Sequence, residues 1–232
     1  MKKRCIVFDW DGTLLDSKAV KRQSFCDAVA SILVKHDISV NHQRLAREFD
    51  IETGRPRSIV VTHMLKSHSL DLTEAGIQLV CNDIRRRIEL SFGSLKLFSD
   101  VEYSLSQLLQ IGFLVSISSS VPHEELNSIV PRFLPSGMLG NIFPILGTKA
   151  SSSKGTQHIK EICHFHSVQL DDITFVGDDE ADLALALEAG VRFVKIERNC
   201  MSLESQADSR IRGIRSLKEL ISGSLTDGHF VC

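Results

Sequence analysis

The chain has 232 residues, 43% of them apolar and 24% charged, with a net charge of −2. This is ordinary for a globular protein and long enough for one large domain, or a core with a small second domain. The near-neutral balance offers no electrostatic case for nucleic acid or for an anionic membrane surface. The apolar start, Cys5-Ile6-Val7-Phe8, stops at Asp9, short of the roughly 7–15 apolar residues of a signal peptide. No stretch approaches the ~18 apolar residues of a membrane helix. Six cysteines, at positions 5, 26, 81, 163, 200 and 232, form no C-x-x-C pair and read as reduced thiols of a cytoplasmic protein.

Residues 4–8 predict a short buried strand that ends at the polar turn Asp9 to Thr13. A helix is expected over 17–36, where Val20, Phe25, Ala28, Val29, Ile32 and Leu33 recur at helical spacing and Ser17 is the expected N-cap. Further helices are expected at 43–50, 57–67 and 73–91, the last with a stripe of Ile77, Val80, Ile84 and Ile88. After Phe92-Gly93 the pattern changes. A helix near 100–110 is stopped by Gly112, and a strand at 113–118 runs into Ser119. A helix at 123–130 and a short strand around Ile142 to Leu146 follow. Lys154 precedes a helix at 155–166, and strand 173–177 meets Asp178-Asp179. A helix at 180–189 is closed by Gly190, strand 191–196 comes next, and a helix at 216–222 precedes a loose tail at 224–232.

Strands alternating with helices predict an α/β fold with a Rossmann-like, doubly wound parallel sheet. The block 16–91 holds no strand and interrupts the alternation, so it reads as an inserted α-helical cap domain. The core is then 1–15 plus 92–232.

In open α/β sheets, ligands bind beyond the carboxyl ends of the strands. Asp9 and Asp11 follow the first strand, Ser119 the second, and Asp178 and Asp182 a later one, with Lys154 in a loop between the last two. Four carboxylates converging on one point repel one another unless a cation joins them. Hard oxygen donors at that density suit Mg²⁺, which also binds phosphate. A carboxylate can act as a covalent nucleophile toward phosphorus, and a second acid two residues on can protonate the leaving oxygen and then activate water. The Ser119 hydroxyl, the Lys154 ammonium and the backbone amides of the turn 10–13 are candidate phosphate ligands.

The run Phe8-Asp9-Trp10-Asp11-Gly12-Thr13-Leu14-Leu15-Asp16-Ser17 resembles the first motif of the haloacid dehalogenase superfamily. Gly112-Phe113 through Ser119 resembles its second motif, Lys154-Gly155 its third, and Gly177-Asp178-Asp179-Glu180-Ala181-Asp182 its fourth. The likeness spans nearly the whole chain, with the first and fourth motifs the specific ones. It implies that Asp9 is the nucleophile and a Mg²⁺ ligand, and that Asp11 is general acid and base with its carbonyl on the metal. It implies that Asp178 is a metal ligand and that Asp182 supports the site through water or Lys154, with Asp179 able to share that role. Ser119, Lys154, Gly12 and Thr13 would surround the phosphate, Thr13 supporting the loop. Ser118 or Ser120 is an alternative to Ser119, and Lys149 competes with Lys154. The helical insertion resembles the small cap of phosphoglycolate-phosphatase-like members. An acid at position 11 favours phosphoryl transfer over halide displacement.

The resulting expectation is a Mg²⁺-dependent phosphatase acting on a small phosphorylated metabolite, without nucleic acid or membrane partners, as a monomer or homodimer. The alternatives are a phosphomutase of the same architecture and a binding protein that retains the fold. In the cap, Arg55 or Arg57 is the candidate for recognising the far end of the substrate. Arg85-Arg86-Arg87 reads as a solvated helix face. Cys163-His164-Phe165-His166 has no second ligand pair at zinc spacing and reads as structural. Trp10 reads as packing behind the nucleophile loop.

Overall fold

A computed structural model of the chain describes residues 3–149, 152–198 and 211–221. Six parallel strands form one sheet in the order β3-β2-β1-β4-β5-β6. They are β1 (Cys5–Phe8), β2 (Leu114–Pro122), β3 (Ile142–Thr148), β4 (Ile173–Gly177), β5 (Arg192–Ile196) and β6 (Ile211–Ile214). The chain builds outward from β1 to β3 on one side, then returns to the centre with β4. The switch in direction therefore lies between β1 and β4. All four residues of β1 are buried, as expected for an interior parallel strand covered on both faces.

The helices are α1 (Lys18–Lys35), α2 (His42–Glu52), α3 (Arg57–Ser67), α4 (Glu74–Leu90), α5 (Val101–Gln110), α6 (His123–Phe133), α7 (Ser136–Leu139), α8 (Thr156–His166) and α9 (Glu180–Ala189). A helical turn at 218–221 follows β6. The chain divides into two compact units, Met1–Leu15 with Leu97–Cys232, and Asp16–Lys96. The first holds the sheet and the second holds α1 to α4. The second crossing lies five residues beyond the expected boundary at 91/92, because Phe92 packs against the helical core instead of the sheet.

Inside the helical unit, Val29, Leu33, Leu45, Val61, Leu65 and Ile84 are fully buried around one centre. Removing each such side chain from water contributes roughly 1.5–3 kcal/mol. Asn41 caps α2 by accepting from Arg44 N–H, and Thr73 caps α4 by accepting from Gly76 N–H. Ser17 occupies the N-cap position of α1, but its side chain makes no capping bond, because its backbone is already helical (φ −118°, ψ −8°).

Strand β2 is longer than expected. It continues through Ser119, Ser120 and Val121, with a register shift against β3 between Ser118 and Pro122. The edge strand β6 was not expected, since Ile211-Arg212-Gly213-Ile214 is short and broken by Arg and Gly. The expected tail at 224–232 lies outside the described residues. Among the described residues no helix is long and apolar enough to cross a membrane.

Candidate active site

The switch point between β1 and β4 is where a doubly wound sheet opens a crevice for ligands. Phe8 pairs with Ile117 on one side and Val176 on the other, so Asp9 emerges level with the ends of both neighbouring strands. Its amide donates to Val176 O at 2.9 Å, which extends the ladder by one bond. The chain then turns back sharply. Leu14 and Leu15 N–H both donate to Trp10 O, and Gly12 N–H donates to Leu15 O at 2.8 Å. Gly12 stands at φ +84°, a left-handed conformation that glycine adopts without steric cost. Trp10 is buried beneath this loop, its ring 6.4 Å from that of Phe133.

Two further loops close on Asp9. Lys154 precedes α8 and sends Nζ to Asp9 Oδ1 at 2.6 Å and to Asp182 Oδ1 at 2.5 Å. Asp182, in the first turn of α9, is fully buried, and its Oδ2 accepts from Asp178 N–H at 3.2 Å. Asp178 Oδ1 accepts from the Thr13 hydroxyl at 3.1 Å, which ties the fourth motif back to the first. The close approach of Asp182 to β4 needs a glycine at 177, since a Cβ there would collide with the Asp182 carboxylate.

Burial raises the Asp9 pKa to about 7; Lys154 opposes this, while Asp178, Asp179 and Asp11 push it further upward. Burial also works against the charge of Lys154, but Asp182 and Asp9 outweigh it and hold the ammonium well above the usual lysine range. Asp182 is raised by burial, with Lys154 countering and Asp9 adding to the rise. One ammonium thus serves a cluster with more negative charge than it can balance, in a setting where unbalanced charge is costly.

The model of the haloacid dehalogenase-like hydrolase family matches residues 6–196. The chain belongs to the haloacid dehalogenase-like hydrolases. No curated protein sequence matches it. Among solved structures, this hydrolase is similar to CbbY from Rhodobacter sphaeroides in complex with phosphate, with a TM-score of 0.73 and 15% identity over 94% of this chain and 96% of that one. It is similar to a protein from Lactobacillus delbrueckii subsp. bulgaricus whose name proposes a phosphoglycolate phosphatase, with a TM-score of 0.72 and 16% identity over 98% of this chain and 100% of the other. It is also similar to a predicted phosphatase from Clostridium acetobutylicum, with a TM-score of 0.63 and 22% identity over 84% of this chain and 85% of the other. At these identities the likeness establishes the fold.

The residues of this hydrolase fit a divalent cation. Asp9, Asp178 and Asp182 present oxygens that all lie within 4.8 Å of one another, and among the described residues this is the group of potential metal ligands that stands out. Asp182 directs Oδ1 to Lys154 and Oδ2 to the Asp178 amide. Asp9 and Asp178 are therefore the residues that could hold the cation, while Asp182 holds the lysine. An all-oxygen, carboxylate-rich set is the chemistry of Mg²⁺.

Several expected residues take different places in the hydrolase. The Gly12 amide, expected at the phosphate, is bonded to Leu15 O within the loop. Thr13 is buried, and its hydroxyl holds Asp178. Asp179 caps α9, its Oδ1 accepting from Asp182 N–H at 2.9 Å, so it orders the helix start while Asp182 meets Lys154. Ser119 is buried inside β2, and its Oγ accepts from Val121 N–H at 3.2 Å. Ser118 Oγ lies 2.9 Å from Nδ1 of buried His158, whose pKa is pushed down to about 4 by burial. Asp11 lies in the loop, forms a bridge with Leu15, and adds to the field on Asp9.

In the helical unit, Arg55 pairs with Glu52 at 3.2 Å, and Glu52 also meets His63 at 2.9 Å. Arg57 is the first residue of α3. Arg85 pairs with Glu89 and Arg86 with Asp83 on an exposed face, whereas Arg87 bonds Asp83 and reaches toward Asp27 of α1. His166 Nε2 lies 2.9 Å from Ser116 Oγ, a structural contact within the sheet unit.

Two residues beside the site were not anticipated. Arg198, just past β5, donates to Thr13 O and to Asp100 Oδ1, each at 2.7 Å. Asp100, at the head of α5, also accepts from Ser216 Oγ and Leu217 N–H. The one sequence signal was Arg198 lying two residues beyond a predicted strand, at the same sheet edge as the motifs.

Proposed function

We propose that this hydrolase is a Mg²⁺-dependent phosphatase that cleaves a small phosphate monoester through a covalent aspartyl-phosphate on Asp9. The observation that carries this reading is the buried junction of Asp9, Lys154, Asp178 and Asp182 at the switch point of the sheet. Lys154 fixes one oxygen of Asp9, which leaves Oδ2 to attack phosphorus as the ester oxygen departs. Asp11, two residues on and set off by the tight loop, donates the proton that the leaving oxygen needs. In the second half Asp11 takes a proton from water, the water oxygen bonds to phosphorus, and the bond from phosphorus to Asp9 breaks, restoring the carboxylate. Asp9 and Asp178 would hold Mg²⁺, whose charge would lower the repulsion between the carboxylate and the anionic phosphoryl group.

Ser119 remains the candidate for a phosphate-oxygen contact, two residues past the last residue of β2 that pairs with β1. The helical unit Asp16–Lys96 is proposed as the cap that selects the substrate, with Arg55 as its candidate recognition residue. The phosphatase names and the phosphate of the similar structures support a small phosphorylated substrate. Cys5, Cys26 and Cys163 are free thiols, which supports a reducing, cytoplasmic setting.

The test is release of inorganic phosphate from a panel of phosphorylated metabolites, with Mg²⁺ and with chelator, for wild type and Asp9→Asn. Turnover that requires Mg²⁺ and falls on the order of 10³-fold or more in Asp9→Asn is the expected result. Turnover by wild type that survives in Asp9→Asn would overturn the covalent step. A strict requirement for a bisphosphorylated activator would make the chain a phosphomutase instead.

A further inference from the structure

Thr13 is held from two sides. Its hydroxyl donates to Asp178 Oδ1 at 3.1 Å, and its carbonyl accepts from Arg198 Nη2 at 2.7 Å. Arg198 is held in turn. Its Nη1 meets Asp100 Oδ1 at 2.7 Å, its guanidinium lies 4.1 Å from the centre of the Phe98 ring, and its side chain is only 12% exposed. Asp100 is oriented through its other oxygen, which accepts from Ser216 Oγ and Leu217 N–H at 2.7 Å each. Burial works against the Asp100 charge, yet the bonds from Arg198, Ser216 and Leu217 outweigh it and hold its carboxyl below the usual range.

A planar guanidinium can bridge a carboxylate and a carbonyl while lying flat on an aromatic ring, which a lysine ammonium cannot do. Phe98 N–H also donates to Leu14 O at 3.1 Å, so the nucleophile loop is fastened at two successive residues, Thr13 by Arg198 and Leu14 by the segment before α5. These bonds bring together the loop after β1, the head of α5, the residue past β5 and the turn after β6.

We propose that Arg198 is a positioning residue for the divalent-metal site, acting through Thr13 to set the orientation of Asp178, with Asp100 as its anchor. The inference rests on the reading of Asp178 as a Mg²⁺ ligand. Groups that orient a metal's ligands typically change metal affinity or activity by roughly 10–100-fold when lost. Among the described residues, the side-chain bonds of Arg198 go to Asp100 and Thr13, and those of Lys154 to Asp9 and Asp182.

The experiment is Mg²⁺ binding by isothermal titration calorimetry on wild type, Arg198→Met, Arg198→Lys, Thr13→Val and the double variant Arg198→Met/Thr13→Val. Circular dichroism checks that each is folded, and phosphate release as a function of Mg²⁺ is measured in parallel. Arg198→Met is expected to weaken Mg²⁺ binding by about 10-fold or more, with Arg198→Lys recovering part of the loss. The Mg²⁺ concentration for half-maximal rate should rise more than the saturated rate falls. Because Arg198 acts through Thr13, the double variant should lose little beyond the more damaging single change. If Arg198→Met does not fold, Arg198→Lys with Thr13→Val carries the same comparison. Unchanged Mg²⁺ affinity in a folded Arg198 variant, or strictly additive losses in the double variant, would overturn the relay and leave the phosphatase reading intact. A wild type that neither binds Mg²⁺ nor releases phosphate would overturn both.

Discussion

The surface ion pairs of the helical unit and the buried cluster of the sheet unit put charge to opposite uses. In the helical unit, Arg22 pairs with Asp50 and Arg85 with Glu89, and all four side chains are between 43% and 53% exposed. In the sheet unit, Lys154, Asp9 and Asp182 are 5%, 6% and 0% exposed. Exposed pairs exchange one well-solvated state for another and contribute little. A buried cluster gives up hydration that its mutual attraction only partly returns, so it stands at a cost to stability. Such a cost fits a site whose charges have a chemical task. The apolar centre of the helical unit, around Leu33 and Ile84, supplies stability with no comparable burden.

The sharpest way to break this contrast is Lys154→Met. It leaves Asp9 and Asp182 buried without their shared cation, and a loss of about 3–5 kcal/mol is expected at pH 8, with turnover abolished. The loss should shrink at pH 5, where the carboxyls can take up protons. Urea denaturation at the two pH values measures it, and a loss under about 1 kcal/mol at pH 8 would remove the distinction between the units.

Asp9→Asn sharpens the contrast from the other side. In metal-free protein the Asp9 pKa is raised from 3.8 to about 7, so the folded state holds this proton where the unfolded chain has released it. The wild-type contribution therefore falls as pH rises through that window. Asparagine does not titrate, so the Tm of Asp9→Asn relative to wild type should climb between those two pH values in chelator. Added Mg²⁺ should close the gap by stabilising the wild-type carboxylate. A pH-independent difference would contradict the origin assigned to the shift. The smallest effect is expected from Arg85→Ala, which should move stability by no more than about 0.5 kcal/mol and leave turnover unchanged.

Much of the sheet and of the site was legible in the sequence because both rest on local signals. Cys5-Ile6-Val7-Phe8 and Ile173 to Gly177 are short apolar runs stopped by acids, and both are strands. Lys154 and Asp182, singled out from separate motifs, form an ion pair. Ser119 was harder to place, since the run Ser118-Ser119-Ser120 gives no sign of where pairing stops, and β2 runs past it to Pro122. Gly12 was expected at a phosphate because of its motif, but which carbonyl takes its amide depends on how the turn closes on Leu15. Arg198 and Asp100 were invisible for a different reason. Arg198 lies 185 residues from Thr13 and 98 from Asp100, and no local pattern reports a bond across such separations.

The two chain crossings between the units carry a last consequence. Leu15 and Leu97 face each other in an antiparallel bridge, and Asp16 N–H donates to Lys96 O at 2.9 Å. The two chain ends that leave the sheet unit are therefore paired with each other, as the ends of a tight hairpin loop are. Loop-closure cost rises only slowly with length, so the segment between these ends is free to lengthen, shorten or be exchanged with little penalty to the sheet. The sheet thus carries a ready-made splice point, closed on its own side by the Leu15–Leu97 bridge, into which helical inserts of different lengths can be set.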